Sequence, residues 1–294
     1  MAANWGRLVR FVAEEDDQQY IGEPVDPELD VGAALAKCET VKVRAFSGTS
    51  PLDTGALPTE HVFTIKTILP PLPRQEVGTI RCIGLNYRNH AAEMKLPLPT
   101  FPSVFFKPGN CLSAGNTDLI IPHQATDEQA DYEAELAVII GRTCRNVSQD
   151  QAMSYVLGYT CSNDVTARKW QFAGGNTQWG YGKGFDGFAP MGPCIVSANE
   201  IPEPSVIELR TELNGEVMQK GRADDMIFSI AAIISHLSQG TTLDAGTVIL
   251  TGTPHGIGVS KEPSVFLRHG DDVRIVMSHG LGSLVNRVVY EKTP

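Results

Sequence analysis

From residue 79 onward the chain breaks into short β-branched apolar runs set between Gly and Pro turns. That pattern predicts a mostly β architecture with few helices. The run DYEAELAVII, residues 131 to 140, is the most informative of these. In an extended chain Tyr132, Ala134, Leu136, Val138 and Ile140 share one face, and Glu133, Glu135, Ala137 and Ile139 share the other. Both faces therefore look at least partly buried, and two carboxylates on one of them call for positive charge between them, because an unpaired buried ion is costly. Taken alone, the pair also fits a half-exposed strand end with solvated acids.

Two helices stand out. Ser148-Gln149-Asp150-Gln151 has the form of a capping box ahead of Ala152, Met153, Val156 and Leu157. Asp224 and Asp225 precede MIFSIAAIISHLSQG, in which Ile227, Ile230, Ala231, Ile234 and Leu237 form an apolar stripe and Gly240 offers a stop. Asn214-Gly215 predicts a tight hairpin turn. Residues 1 to 73 are richer in turn residues and acids and end in ILPPLPR, whose prolines are excluded from a central strand. The expected division is a small β-rich N-terminal domain over 1–73 and a second domain over 74–294.

Length and composition narrow the class. With 294 residues, 42% hydrophobic and 20% charged, the chain can bury an ordinary core without staples. A net charge of -10 gives no footprint for nucleic acid. The apolar runs are shorter than the ~20 residues a membrane helix needs. Arg7 and Arg10 interrupt any apolar signal core at the N-terminus. The expectation is a soluble cytoplasmic protein, with the mitochondrion also open. Six cysteines without metal-site spacing read as reduced core or near-core thiols.

Asp164, in CSNDVTARKWQ, falls at a strand end or in the loop after it, where functional groups often stand. With Glu133 and Glu135 it makes a hard oxygen set that suits Mg²⁺, Mn²⁺ or Ca²⁺ and leaves room for water or a chelating substrate. Alone, Asp164 also fits an N-cap or Asx turn. In NYRNHAAEM, His90 and Glu93 lie three apart, so on a helical turn the carboxylate can orient the imidazole as a general base. Pro97 and Pro99 limit that helix to a turn or two, which predicts a mobile segment ordering over bound ligand. An i,i+3 His/Glu pair also occurs on ordinary surface helices. Gly182-Lys183-Gly184-Phe185-Asp186-Gly187 satisfies G-x-G-x-x-G only formally, because the dinucleotide fingerprint requires a strand before and a helix after it, and Pro190 and Pro193 follow. Glycines flanking Lys183 instead leave its ammonium free to approach an anion. TGTPHGIG, 251 to 258, is a Gly-rich strand end that can bring backbone N–H groups and Thr253 near a carboxylate or carbonyl, or can be a plain tight turn.

The ordered set resembles the fumarylacetoacetate hydrolase family: NYxxHxxE at 86 to 93, FFKPG around Lys107, ExE at 133 to 135, Asp164 of NDVTAR, GKxFD at 182 to 186 and TGTPxGxG at 251 to 258. The resemblance spans roughly residues 79 to 290. It implies a mixed α/β, mostly β chain whose catalytic domain is a β-sandwich roll, with a small N-terminal domain and a homodimeric assembly. It also implies Mg²⁺ or Mn²⁺ on Glu133, Glu135 and Asp164, a catalytic set of His90, Glu93 and Lys183 with the first two as a lid dyad, and substrate contacts from Lys107, Arg168, Gln171 and Thr253. The Ser278-His279 pair in VMSHGLGSLVNRVV departs from the acidic or hydrophobic pair commoner there.

Members of that family act on 2-oxo acids and 1,3-dicarbonyls, which places a small oxo-acid substrate here. The expected reaction is hydrolytic cleavage of a C–C bond in an acylpyruvate-type β-diketo acid through a metal-stabilised enolate. Oxaloacetate-type decarboxylation or 2-oxo acid tautomerisation is the alternative on the same site. A catalytically inactive ligand-binding or scaffold relative is the alternative of another class.

Overall fold

The computed structural model describes residues 4–53, 55–175 and 177–292. Strands Arg7–Ala13, Gln19–Pro24, Lys42–Phe46 and Pro58–Leu69 pair antiparallel at the N-terminus. They continue into the main sheet, because Arg7 and Leu8 pair with Val196 and Ile195 of strand Ala189–Ser197. From there the sheet runs through Val156–Asn163, Ala134–Ile140, Val248–Leu250, Ile80–Gly84 and Ser103–Lys107, giving 11 strands once Leu112–Ala114 is included. A second sheet of five strands is ordered Glu216–Arg222, Glu208–Leu213, Asp272–Met277, Gly282–Tyr290 and Thr117–Ile121. The chain is thus mixed α/β and mostly β, with its helices short.

The strand Ala134–Ile140 is buried at every position. Ala134, Leu136, Val138 and Ile140 pack with Leu209, Ile275 and Leu284 of the second sheet and with Ile230, Ile233 and Ile234 of the helix Ile230–Ser238. Ala137 and Ile139 pack on the opposite side with Ile80, Leu250, Met191 and Ile195. The alternation expected from the sequence is therefore present, with apolar material on both faces.

Several local expectations are corrected. The long helix starts at Ile230, not after Asp224 and Asp225; its cap is Ser229, whose hydroxyl accepts from the Ala232 N–H at 3.2 Å. Ile227 lies outside it, since residues 226–228 are bound to another segment: Met226 bridges to Tyr87, and the Ile227 N–H donates to the Asn86 carbonyl. Ser148 precedes only the single turn Gln149–Ala152 and makes no capping bond, because the chain tightens into a 3₁₀ turn at Met153–Tyr155. Pro190 and Pro193 lie inside a central strand, beside a register shift in its pairing with Val156–Asn163; an irregularity of that kind tolerates a missing donor. The hairpin at Asn214-Gly215 forms as expected, with φ of 52° and 84°, the positive values a primed turn needs. Five cysteines are buried thiols, whereas Cys38 is exposed. No helix among the described residues is long and apolar enough to cross a membrane.

Candidate active site

Glu133, Glu135 and Asp164 meet at the N-terminal end of the strand Ala134–Ile140. Glu135 belongs to that strand, and Glu133 sits just before it, its N–H donating to Asn163 Oδ1 at 2.9 Å while its carbonyl accepts from the Asp164 N–H at 2.9 Å. These bonds tie the two segments that the sequence separates by thirty residues. One oxygen from each acid lies within 4.8 Å of the others. The exposures of Glu133, Glu135, Asp164 and Lys183 are 6%, 1%, 0% and 3%, so these charges must be compensated within the protein.

The positive charge demanded by the sequence is Lys183. It ends the short helix Trp179–Lys183, and its Nζ donates to Glu133 Oε2 at 2.9 Å, Asp164 Oδ2 at 2.7 Å and Thr166 Oγ1 at 2.7 Å. Burial works against the ammonium, but Asp164 and Glu133 outweigh it and raise its pKa. The glycine at 182 has a role other than clearing the way for an anion. A Cβ there would stand 2.6 Å from the Gln171 nitrogen and 3.0 Å from the Ala167 carbonyl oxygen, so Gly182 lets this helix press against the turn Arg168–Gln171.

Arg168 supplies the second cation. Its Nη2 lies 2.7 Å from Glu133 Oε1 and 2.8 Å from Asp131 Oδ2, and its Nη1 donates to Gln171 Oε1 at 3.2 Å. Burial penalises the Glu133 carboxylate, yet Lys183 and Arg168 together hold it well below the usual range. Glu135 is treated differently. The one hydrogen bond described for its side chain comes from the Gly252 N–H at 2.7 Å, and burial, reinforced by Asp164 and Glu133, pushes its carboxyl well up.

This imbalance is the structural test of the metal reading. Four buried carboxylates, Asp131, Glu133, Glu135 and Asp164, face three buried cations, Lys107, Arg168 and Lys183, so that with all four ionised the charge at Glu135 is buried and uncompensated, which is what pushes it towards its neutral form. Clustered hard oxygens with a surplus charge fit a divalent cation. Such an ion would turn the surplus to one positive charge, which suits a carboxylate-bearing ligand.

The dyad is also assembled. His90 Nδ1 lies 3.1 Å from Glu93 Oε2 on the helix Arg88–Glu93. Burial tends to raise the Glu93 carboxyl, but hydrogen bonds from His90, Ser260 and Gly256 prevail and lower it. The segment is anchored at its start as well, where the Asn89 N–H donates to Asp225 Oδ2 at 3.0 Å and Arg88 donates to the Met226 carbonyl.

Two expected substrate contacts are differently engaged. Lys107 is fully buried, and its three N–H bonds are taken by Asp164 Oδ1, the Phe188 carbonyl at 2.6 Å and the Val165 carbonyl at 3.2 Å. The Thr253 hydroxyl donates to the Ala134 carbonyl at 2.9 Å and accepts from Gln219 Nε2 at 2.9 Å. The N–H groups of the 251–258 strand end likewise address the protein's own acids: Gly252 reaches Glu135, Gly256 reaches Glu93, and Gly258 reaches Asp131 at 2.8 Å. Asp131 is the member that sequence reasoning missed, although it stands two residues before Glu133 and so on the same side of an extended chain. Its Oδ2 also accepts from the Val259 N–H at 3.0 Å.

Comparison with known proteins agrees with this geometry. Residues 79–289 match the family described as fumarylacetoacetate (FAA) hydrolase, C-terminal. The chain is 40% identical to a caffeoylpyruvate hydrolase of Neonothopanus nambi over 100% of its own length and 96% of the relative's. It is 39% identical to a mitochondrial oxaloacetate tautomerase of Xenopus laevis over 96% of this chain and 90% of that one. Among solved structures, a 2-hydroxyhepta-2,4-diene-1,7-dioate isomerase of Mycobacterium marinum superposes with a TM-score of 0.80 at 33% identity, covering 98% of this chain and 100% of that one. With a buried acid triad, a bridging lysine and a His–Glu dyad in the family's order on the family's fold, the chain belongs to the fumarylacetoacetate hydrolase family.

Proposed function

We propose that the protein hydrolyses an acylpyruvate, a 2,4-dioxo acid, to pyruvate and a second carboxylic acid. The observation that carries this reading is the His90–Glu93 pair, formed at 3.1 Å and tied to the acid triad through one strand end, whose Gly256 N–H donates to Glu93 and whose Gly252 N–H donates to Glu135. A Mg²⁺ or Mn²⁺ ion on Glu133, Glu135 and Asp164 would supply Lewis-acid polarisation of the substrate's oxo oxygens. Lys183 and Arg168 provide fixed positive charge beside them. The Gln171 amide, its oxygen committed to Arg168, presents its NH₂ to a substrate oxygen. Lys107 and Thr253 act from behind, orienting Asp164 and the strand end. His90, steered through Nδ1 by Glu93, takes a proton from water as that water bonds to the distal carbonyl carbon. The C–C bond then breaks towards the pyruvate side, and the enolate carbon recovers a proton from His90. Homology to the caffeoylpyruvate hydrolase supports the substrate class.

A second reading, tautomerisation of oxaloacetate, is supported by the oxaloacetate tautomerase relatives and needs only proton transfer at the same groups; decarboxylation of a 3-carboxy-2-oxo acid needs the same enolate stabilisation. A homodimer and a cytoplasmic or mitochondrial location accompany either reading, supported by the family resemblance and by the mitochondrial relatives. The deciding experiment is a mass-resolved product assay of the Mg²⁺-loaded protein on acetylpyruvate, fumarylpyruvate and oxaloacetate in ¹⁸O-water. Pyruvate plus an ¹⁸O-labelled second acid is expected. Enol-to-keto conversion of oxaloacetate with no cleavage of either acylpyruvate overturns hydrolysis in favour of a tautomerase. His90→Gln should lower hydrolysis by roughly 10²-fold or more with divalent affinity, read by calorimetry, unchanged.

A further inference from the structure

The two oxygens of Glu93 are not equivalent. Oε2 lies against His90 Nδ1 at 3.1 Å, whereas Oε1 accepts from the Ser260 hydroxyl at 2.7 Å. The Gly256 N–H sits between them, 2.9 Å from Oε1 and 3.1 Å from Oε2, and so holds the carboxylate without deciding which oxygen faces the imidazole. Ser260 makes that decision. We propose that Ser260 is a positioning residue for the His90–Glu93 pair and the latch by which the helix Arg88–Glu93 is held over the acid triad. The inference rests on the dyad acting as the hydrolytic base.

The hydroxyl has one proton and two acceptors, since the Ile257 carbonyl oxygen also lies 2.8 Å away. A carboxylate is the stronger acceptor, so the proton goes to Glu93 when the helix is in place. When the helix lifts, the proton turns to Ile257, and no buried donor is orphaned. Glu133, Glu135 and Asp164 are all buried, so a substrate reaches them only when part of their surroundings moves, and the helix that carries the dyad is one such part. The two ends of the helix differ in what holds them. Its start is tied to Asp225 and Met226, while the side-chain anchors of its far end are the contacts of Glu93 with Gly256 and Ser260, and residues 94–98 beyond it are exposed. The far end is therefore the one that moves. The loop that receives it is itself fixed through Asp131, two residues before Glu133, which accepts from Gly258 and Val259, so Glu93 is positioned relative to Glu133 rather than to a free loop.

The test compares wild type with Ser260→Ala, and Ser260→Thr with Ser260→Val, a pair equal in shape and differing in the hydroxyl. Two readouts are taken: steady-state hydrolysis of acetylpyruvate, and hydrogen exchange of the segment 88–96 followed by mass spectrometry, which needs no turnover. The expectation is a fall in kcat on the order of tenfold in Ser260→Ala, with KM within about twofold, and faster exchange in 88–96. Ser260→Thr should restore both, and Ser260→Val should not. Wild-type kcat and exchange in Ser260→Ala, or equal behaviour of the Thr and Val variants, overturns the proposal. If wild type hydrolyses no acylpyruvate, the functional reading fails, and the exchange comparison still decides the latch.

Discussion

At the scale of single residues, the site is a set of acids given different environments. Glu133 is held ionised by Lys183 and Arg168, while Glu135, buried beside Asp164 and Glu133 with one N–H donor, is pushed towards its neutral form. A raised folded-state pKa means that the metal-free native protein binds more protons than the unfolded chain between the two values. The stability linked to Glu135 is therefore fully present below the ordinary carboxyl range and is lost as pH rises through the folded value. A divalent ion held at Glu135 would expel that proton, so divalent affinity should strengthen as pH rises through the same window. Melting temperatures of the metal-free protein across this range, compared with Glu135→Gln, check the point: the downward slope with pH should flatten in the variant, and identical slopes would show Glu135 already ionised. Glu133 and Glu135 were legible in the sequence because a carboxylate in an apolar run is conspicuous, and Asp164 joined them through the family's motif order. The partition of charge among them was not, because it depends on Lys183 and Arg168 arriving from segments later in the chain.

At the scale of elements, the site depends on close approach between short pieces. Gly182 shows this most directly, since the atoms a Cβ would meet there, the Gln171 nitrogen and the Ala167 carbonyl, belong to the backbone and cannot swing aside. Gly182→Ala should displace the helix Trp179–Lys183 and with it Lys183. A misplacement near 1 Å costs on the order of 10²-fold in rate, so turnover should drop by about that factor in a kinetic assay while the protein stays folded by circular dichroism. Sequence reasoning gave the glycines flanking Lys183 the task of admitting an anion, because local spacing cannot show which backbone will lie opposite. The Asp224-Asp225 helix start failed for a similar reason: Asp225 does cap a helix, but the one at Arg88–Glu93, reached across the fold. The dyad segment reads as mobile from its prolines, but what holds it when closed, groups more than a hundred residues away in the chain, is not written near it.

At the scale of the whole molecule, the N-terminal strands share both sheet and core with the rest. Trp5, Leu8, Ile21 and Phe46 pack in one cluster with Ile80, Leu157, Met191, Ile195 and Leu250, and strand Arg7–Ala13 covers the edge of Ala189–Ser197. A chain of residues 74–294 alone would expose that apolar surface and an unpaired strand edge. It should aggregate or unfold at lower temperature than the full chain in a light-scattering melt, and equal melting of the two would show an independent second domain. By itself the sequence determined the β-rich class and the buried two-faced strand, because alternation and residue chemistry are local properties, and its motifs in family order pointed to the hard-acid triad and the His90–Glu93 pair. Tertiary structure alone decided that Lys107 and Thr253 are spent on the protein's own acceptors, that Asp131 ties Arg168 to the 256–260 loop, and that Ser260 chooses the oxygen Glu93 turns to His90. Each of those is a hydrogen bond between groups distant in the chain, and no local pattern encodes where such partners meet.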